Sequence, residues 1–284
     1  MTDYKGVRAW LITGISSGFG RLMTEQLLAR GDRVVGTVRD AAPLGALVEA
    51  HGDRLSLLTL DLTDLGAIAG TVDRAFGLCG RIDVVVSNAG YGLFGAAEEA
   101  TDAQVIHQIH TNLVGPIQLA RAAIPHLRRQ GGGRLVAVSS YGGQTAGPGA
   151  SLYNASKWGL EGFFDAIGHE LACFGIGVTI VEPGGAQTGF RHRSSRLGPA
   201  LEVYADTPAS ALRTRMSGTD RPPGGDPAKM AAMMIAAAET DPAPKRIALG
   251  SDSYREIRRA LAARLEALDA QRELAASTDL PRDA

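Results

Sequence analysis

Ser140, Tyr153 and Lys157 are the three side chains that can do proton chemistry together if the fold lets them meet. Residues 151–174 read as one helix, and a spacing of four puts Tyr153 and Lys157 on the same face of it. They are then one turn apart, with ~6 Å of rise between them. A free phenol with a pKa of ~10 is a poor base near neutral pH. Lowering it by ~2–3 units takes ~3–4 kcal/mol in favour of the phenolate, roughly what one cation ~5 Å away supplies at an effective dielectric of ~20. The expectation is therefore a proton-transfer group with a depressed pKa. Ser140 ends an apolar run, so its hydroxyl is placed to hold an oxygen that gains charge. Tyr-x-x-x-Lys occurs by chance in many helices, so its meaning depends on the surrounding elements.

Those elements alternate. Strands are expected at 8–13, 33–38, 55–60, 82–87, 134–139, 176–182 and 246–249, and helices from the glycines after Thr13 to about Arg30, at 65–78, at 102–130 and over 151–174. The strand runs are apolar and β-branched without polar alternation, as in strands buried on both faces of a parallel sheet. The reading is an α/β, Rossmann-like, doubly wound parallel sheet of about seven strands with helices on both faces, in a single domain over 1–284. Asp226-Pro227 looks like a helix cap with proline at the first helical position. Residues 189–225, rich in Arg, Ser, Gly and Pro, are read as a mobile loop or small helical lid over the carboxyl ends of the strands. A final helix at about 252–275, capped by Ser251 or Asp252, is expected to bury a stripe of Ile257, Leu261, Leu265 and Leu268.

Gly14, Gly18 and Gly20 stand where the first strand turns into a helix. They permit a tight turn and close approach of backbone N–H groups to a pyrophosphate at the helix's positive end. At the end of the second strand, where an acid would bind a ribose 2′-hydroxyl, stands Val38, followed by Arg39. A guanidinium matches a 2′-phosphate, so NADP is expected, with NAD less favoured and represented by Asp40.

Composition narrows the class. Hydrophobic residues are 45% and charged residues 21%, as in a globular chain with a sizeable core, and the net charge of −1 offers no bulk attraction to nucleic acid or an anionic membrane. Cys79 and Cys173 lie outside any metal or redox motif, no run is long enough to span a membrane, and Asp3, Lys5 and Arg8 precede only a six-residue apolar run. A cytoplasmic setting is expected, with no metal.

Together these residues resemble the short-chain dehydrogenase/reductase family over about residues 7–275. The likeness is carried by Thr13-Gly14-x-x-x-Gly18-x-Gly20, Asp61, Asn88-Ala89-Gly90, Asn112, Ser140, Tyr153-x-x-x-Lys157, and Pro183-Gly184 followed by Thr188. The resemblance implies hydride transfer between a nicotinamide and a carbonyl or alcohol. It implies Tyr153 as acid/base, Lys157 binding the nicotinamide ribose and lowering the tyrosine pKa, Ser140 on the substrate oxygen, and Asn112 holding a relay water. Cofactor contacts are implied at Gly14, Ser16, Ser17, Gly18, Phe19, Gly20, Arg39, Asp61, Leu62, Asn88, Ala89, Gly90, Pro183, Gly184 and Thr188. Ser87 stands where the family often has asparagine. The Arg246–Gly250 segment, followed by Ile257-Arg258, resembles bacterial carbonyl reductases related to hydroxysteroid dehydrogenases, which implies a hydrophobic ketone or alcohol. Tyr91, Leu93, Phe94, Gly142, Gln144, Phe190 and Tyr204 are candidate pocket residues, with Arg191, His192, Arg193 and Arg196 nearby. A homodimer or homotetramer is expected through 102–130 and the helix carrying Trp158, Leu160, Phe163, Phe164 and Ile167. Rival readings are a non-catalytic nucleotide sensor, against which Ser140, Tyr153 and Lys157 stand, and a nucleotide-sugar epimerase, which needs a larger C-terminal domain.

Overall fold

The computed structural model describes residues 6–217 and 224–280. Asp3, Lys5 and positions 218–223 of the expected lid lie outside the described residues. The strands are β1 (Ala9–Thr13), β2 (Arg33–Val38), β3 (Leu55–Thr59), β4 (Val84–Ser87), β5 (Gly92–Phe94), β6 (Gly133–Val138), β7 (Ile176–Pro183), β8 (Ser195–Leu197) and β9 (Arg246–Leu249). The helices are α1 (Gly18–Ala29), α2 (Gly45–His51), α3 (Leu65–Cys79), α4 (Asp102–Ile109), α5 (Gly115–Arg129), α6 (Ser151–Leu171), α7 (Phe190–Arg193), α8 (Pro208–Ser217), α9 (Pro227–Glu239), α10 (Ser251–Asp269) and α11 (Arg272–Ala276).

Seven strands form one parallel sheet in the order β3-β2-β1-β4-β6-β7-β9. Chain order reverses between β1 and β4, which opens a crevice at the carboxyl ends there. The unbroken burial of Ala-Trp-Leu-Ile-Thr in β1 and of Val84–Ser87 in β4 follows from helices packing on both faces. One face joins Leu11, Val85 and Leu135 to Ile68 and Phe76 of α3, Leu119 of α5, and Leu160 and Phe164 of α6. Trp10, Ile12 and Val136 face Met23 and Leu27 of α1 and Met230 and Met234 of α9 on the other. Asp226 caps α9 as expected, accepting from the backbone N–H of Ala228 and Lys229.

Several expectations need correction. The helix expected over 102–130 is interrupted by a π turn at His110–Val114 between α4 and α5. Pro116 cannot donate a backbone hydrogen bond to the preceding turn, and the wider turn accommodates this. The segment 189–225 is built rather than open: β8 pairs with β5 as a second, two-stranded parallel sheet, and α7 and α8 flank it. Three-residue strands some hundred positions apart carry no periodicity that sequence reading can use. The α10 stripe is also different: only Ile257 is buried, whereas Leu261, Leu265 and Leu268 are exposed because the helix runs past the end of the sheet. Neither Ser251 nor Asp252 caps α10; Gly250, with φ of 101°, takes that position. Among the described residues no helix is long and apolar enough to cross a membrane.

Candidate active site

A cleft of about 1240 Å³ runs along the carboxyl ends of the central strands. Its floor starts at Gly14, directly after Thr13, the last residue of β1. The fully buried Thr13 hydroxyl accepts from the backbone N–H of Asn88 and of Ala89, both at 3.0 Å, and Asn88 Nδ2 donates back to Thr13 O at 2.8 Å and Gly14 O at 3.2 Å. Asn88 thus ties the turn after β1 to the turn after β4. Gly14 has φ of +72°, and a Cβ on Gly20 would lie 2.5 Å from Gly14 O, so both glycines are sterically required. Ser17 stands at the N-cap of α1 without bonding the helix through its side chain. The first-turn N–H groups of α1 and the Ser17 hydroxyl therefore form a cradle with the charge and shape for a pyrophosphate. Ser16, Gly18 and Phe19 complete that end of the cleft.

The neighbouring wall carries Thr37, Val38, Arg39, Asp61 and Leu62. Asp40 does not join it: its Oδ1 accepts from Ala42 N–H at 3.0 Å and closes its own turn. Asp61 both lines the cleft and closes a turn, accepting from the Thr63 backbone N–H at 2.9 Å and hydroxyl at 2.8 Å. Burial opposes ionisation of Asp61, yet the two Thr63 bonds and nearby Arg39 hold its carboxyl below the ordinary range.

At the other end, Tyr153 and Lys157 lie on one face of α6, with Lys157 Nζ 6.0 Å from the phenol ring centroid. Lys157 donates to Val138 O, at the end of β6, at 2.9 Å. Ser140 follows that strand; its Oγ accepts from Gly142 N–H at 3.1 Å and it shares a hydrogen bond with the phenol. Asn112 sits in the π turn, accepting from Tyr91 N–H at 3.0 Å and donating to Tyr91 O at 2.7 Å and to Ser156 Oγ at 3.2 Å. A Cβ on Gly90 would lie 3.2 Å from Asn112 Oδ1 and 3.8 Å from Lys157 Nζ, so both groups face the bare backbone of Gly90.

The electrostatics correct the expectation of a depressed tyrosine. Burial pushes Tyr153 up to about 12, with the Ser140 hydrogen bond only partly opposing it. Burial also pulls Lys157 down to about 8, against the charge of Glu161. At 6.0 Å, and with its own charge penalised, the lysine does not offset the desolvation of the phenol. Burial therefore favours the protonated form of Tyr153.

Pro183, the last residue of β7, and Gly184 close the cleft, and a Cβ on Gly184 would run into the Asp252 carboxylate. Asp252 instead accepts from Gly185 N–H at 2.7 Å, which holds this loop against α10. Thr188 lines the cleft, and its hydroxyl accepts from Phe190 N–H at 3.3 Å at the start of α7. Phe94 and Phe190 flank the phenol, with ring centroids 5.4 Å and 6.3 Å away. Tyr91, Leu93 and Gly142 join them as expected, and so do Arg193 and Arg196. Arg191 and His192 have side chains outside the described residues. Gln144 and Tyr204 do not line the cleft: Gln144 donates to Glu161, and Tyr204 bonds Glu98. Ser87 Oγ is buried without a hydrogen-bond partner among the described residues.

Sequence reading missed the start of α10, which contributes Asp252, Arg255, Glu256 and Arg259 to the wall. It also missed Glu99, whose carboxylate bonds Arg213 at 2.7 Å and the N–H of Leu201 at 2.9 Å and of Ala96 at 2.8 Å, fastening the roof.

A sequence profile described as short chain dehydrogenase matches residues 8–196. The chain is 34% identical over 250 residues to the oxidoreductase BOA17 of Botryotinia fuckeliana, covering 87% of this chain and 90% of that one. Over 205 residues it is 35% identical to 3-ketodihydrosphingosine reductase of Bacteroides thetaiotaomicron, covering 72% of this chain and 74% of the relative. A solved short-chain dehydrogenase from Streptomyces avermitilis matches with a TM-score of 0.90 at 36% identity, covering 97% of this chain and 100% of that one. Profile, relatives and architecture agree that this chain belongs to the short-chain dehydrogenase/reductase family, oxidoreductases acting on CH–OH and C=O groups.

Proposed function

We propose that the chain transfers a hydride between NADP(H) and a carbonyl or secondary alcohol on a hydrophobic molecule, with Tyr153 as proton donor and acceptor. The observation that carries this reading is the meeting of Ser140, Tyr153 and Lys157 in the same cleft as the glycine cradle after β1. When bound, a nicotinamide supplies or accepts the hydride and, oxidised, adds a positive charge beside Tyr153. The chain's residues do the rest. Ser140, oriented by Gly142 N–H, holds the substrate oxygen, and Tyr153 gives it a proton as charge develops there. Lys157 and Asn112 stand behind the phenol as the route by which the proton is replaced. A phenol kept protonated by burial suits carbonyl reduction better than alcohol oxidation.

Arg39 on the wall and the commitment of Asp40 to its own turn favour a 2′-phosphate over a free ribose hydroxyl. Leu93, Phe94, Phe190, Leu212 and Met216 give the substrate end an apolar lining, and one relative is named for reducing a 3-keto compound. Within one copy Leu160, Phe164 and Ile167 are already buried and Trp158 lies beneath Arg264, so the proposed dimer or tetramer rests on the exposed faces of α5 and α6. The test is a ketone and alcohol panel followed by nicotinamide absorbance with both cofactors. Turnover lost in Tyr153→Phe supports the reading; no turnover with any panel member, or full turnover in Tyr153→Phe, overturns it.

A further inference from the structure

Behind the catalytic residues, on the side away from the cleft, lies a buried ionic cluster that the proposed reaction does not use. Glu161 stands one turn beyond Lys157 on α6 and is 2% exposed. Its Oε1 accepts from Ser139 Oγ at 2.6 Å, and its Oε2 accepts from Gln144 Nε2 and from Arg246 of β9. Arg246 also donates to Glu182 of β7 at 2.9 Å and to Asp165 of α6 at 3.2 Å. Ser139 immediately precedes Ser140, and Gln144 closes the turn that carries it. Within that turn Gly143 is obligatory, since a Cβ there would run into the Glu161 carboxylate. Arg264 of α10 bonds the outer side of Gln144, at 3.0 Å to its backbone oxygen and 3.3 Å to its side chain. One buried carboxylate is therefore tied to both ends of the Ser140 turn and lies one helical turn from Lys157.

Resting on the hydride-transfer reading, we propose that Glu161 is a positioning residue. It fixes the turn carrying Ser140 through Ser139 and Gln144, and its charge keeps Lys157 a cation inside the protein. The charged or titratable groups on the elements around Lys157 are Tyr153, Glu161 and Asp165 on α6, Tyr141 on the Ser140 turn, Glu182 on β7 and Arg246 on β9. Of these, Glu161 is the one whose charge opposes the cost of burying the ammonium. Arg246 in turn balances the two buried carboxylates, and burial together with Glu161 pushes Glu182 up, so Glu182 readily takes a proton and relieves the crowding.

The chain has four lysines, Lys5, Lys157, Lys229 and Lys245. Lysine-selective 15N labelling of the full chain, assigned with Lys157→Met, therefore follows Lys157 through a pH titration without turnover. Glu161→Gln keeps a similar shape but removes the charge, and its Lys157 midpoint is expected to fall by about one pH unit. The alkaline limb of ketone reduction should move the same way, with kcat about tenfold lower. Ser139→Ala should lower kcat while leaving the Lys157 midpoint in place, which separates the two roles. A Lys157 midpoint unchanged in Glu161→Gln overturns the proposal. Should Glu161→Gln not fold, the Ser139→Ala, Gln144→Ala double variant carries the test, and turnover within twofold of wild type overturns it. If the hydride-transfer reading itself fails, neither wild type nor variant turns over, yet the midpoint comparison still decides the role of Glu161.

Discussion

The floor of the cleft is made from strand ends and α6: Ser140 and Lys157 lie buried in its lining, held by the backbone of Gly142 and Val138, and the buried Thr13 and Asn112 bond the backbone of the lining residues Asn88, Ala89 and Tyr91. The roof, formed by α7, β8 and α8, instead presents exposed arginines and rests on two seams. One seam is the three-residue pairing of β5 with β8; the other is the buried Glu99 carboxylate holding Arg213 and Leu201. Burial alone raises the Glu99 pKa, but the Leu201 N–H, Arg213 and the Ala96 N–H together hold it below the ordinary carboxylate range. The difference teaches a division of labour. On the proposed function, a proton-transfer group must be fixed within a fraction of an ångström and is held by the sheet, while substrate choice falls to a segment that can change without disturbing the core.

Breaking the floor has the largest expected effect. Tyr153→Phe should lower kcat/KM for ketone reduction about a thousandfold while leaving NADPH binding and the melting temperature unchanged, read by steady-state kinetics and fluorescence titration. At the nucleotide edge of the floor, Arg39→Ala should cost NADPH about 10- to 100-fold in kcat/KM and change NADH by less than threefold. A stronger loss with NADH than with NADPH would end the NADP assignment. Loosening the roof is a milder change: Glu99→Gln should raise the ketone KM about tenfold, with the NADPH KM within twofold. Equal increases in both would mean that the roof serves the nucleotide as much as the substrate.

The smallest effect separates catalytic need from stability. Lys157 has a folded-state pKa of about 8, below its ordinary 10.5, so the folded chain binds fewer protons than the unfolded chain between those values. Its burial therefore costs stability in full below about pH 8, on the order of 3 kcal/mol, and the cost disappears as pH rises toward 10.5. Lys157→Met should raise the melting temperature at pH 7 by a few degrees while abolishing turnover, and the gap should narrow above pH 8. Calorimetry across pH measures it; a variant less stable than wild type at pH 7 contradicts the sign.

Much of the floor was legible in the chain. Unalternating apolar runs mark strands covered on both faces, and a glycine after Thr13 with two more in the first turn of α1 marks a turn that backbone must approach closely. Ser140 at a strand end and the four-residue spacing of Tyr153 and Lys157 then follow from helix and strand geometry. The roof was not legible, because β5 and β8 are too short for periodicity and their pairing is a long-range event. Glu161, Glu182 and Arg246 read as ordinary charges on two strands and a helix; only packing showed that they share one buried cluster.

By itself, the sequence determined the order of strands and helices, the glycine turn after β1 and the spacing of the proposed reacting side chains, since these depend on local spacing and residue chemistry. Tertiary structure decided the acidity of the site. The four-residue spacing predicted a phenol made more acidic by a cation, but burial raised Tyr153 to about 12 and lowered Lys157 to about 8. Desolvation depends on what surrounds a group in space, and nothing in the order of residues records it.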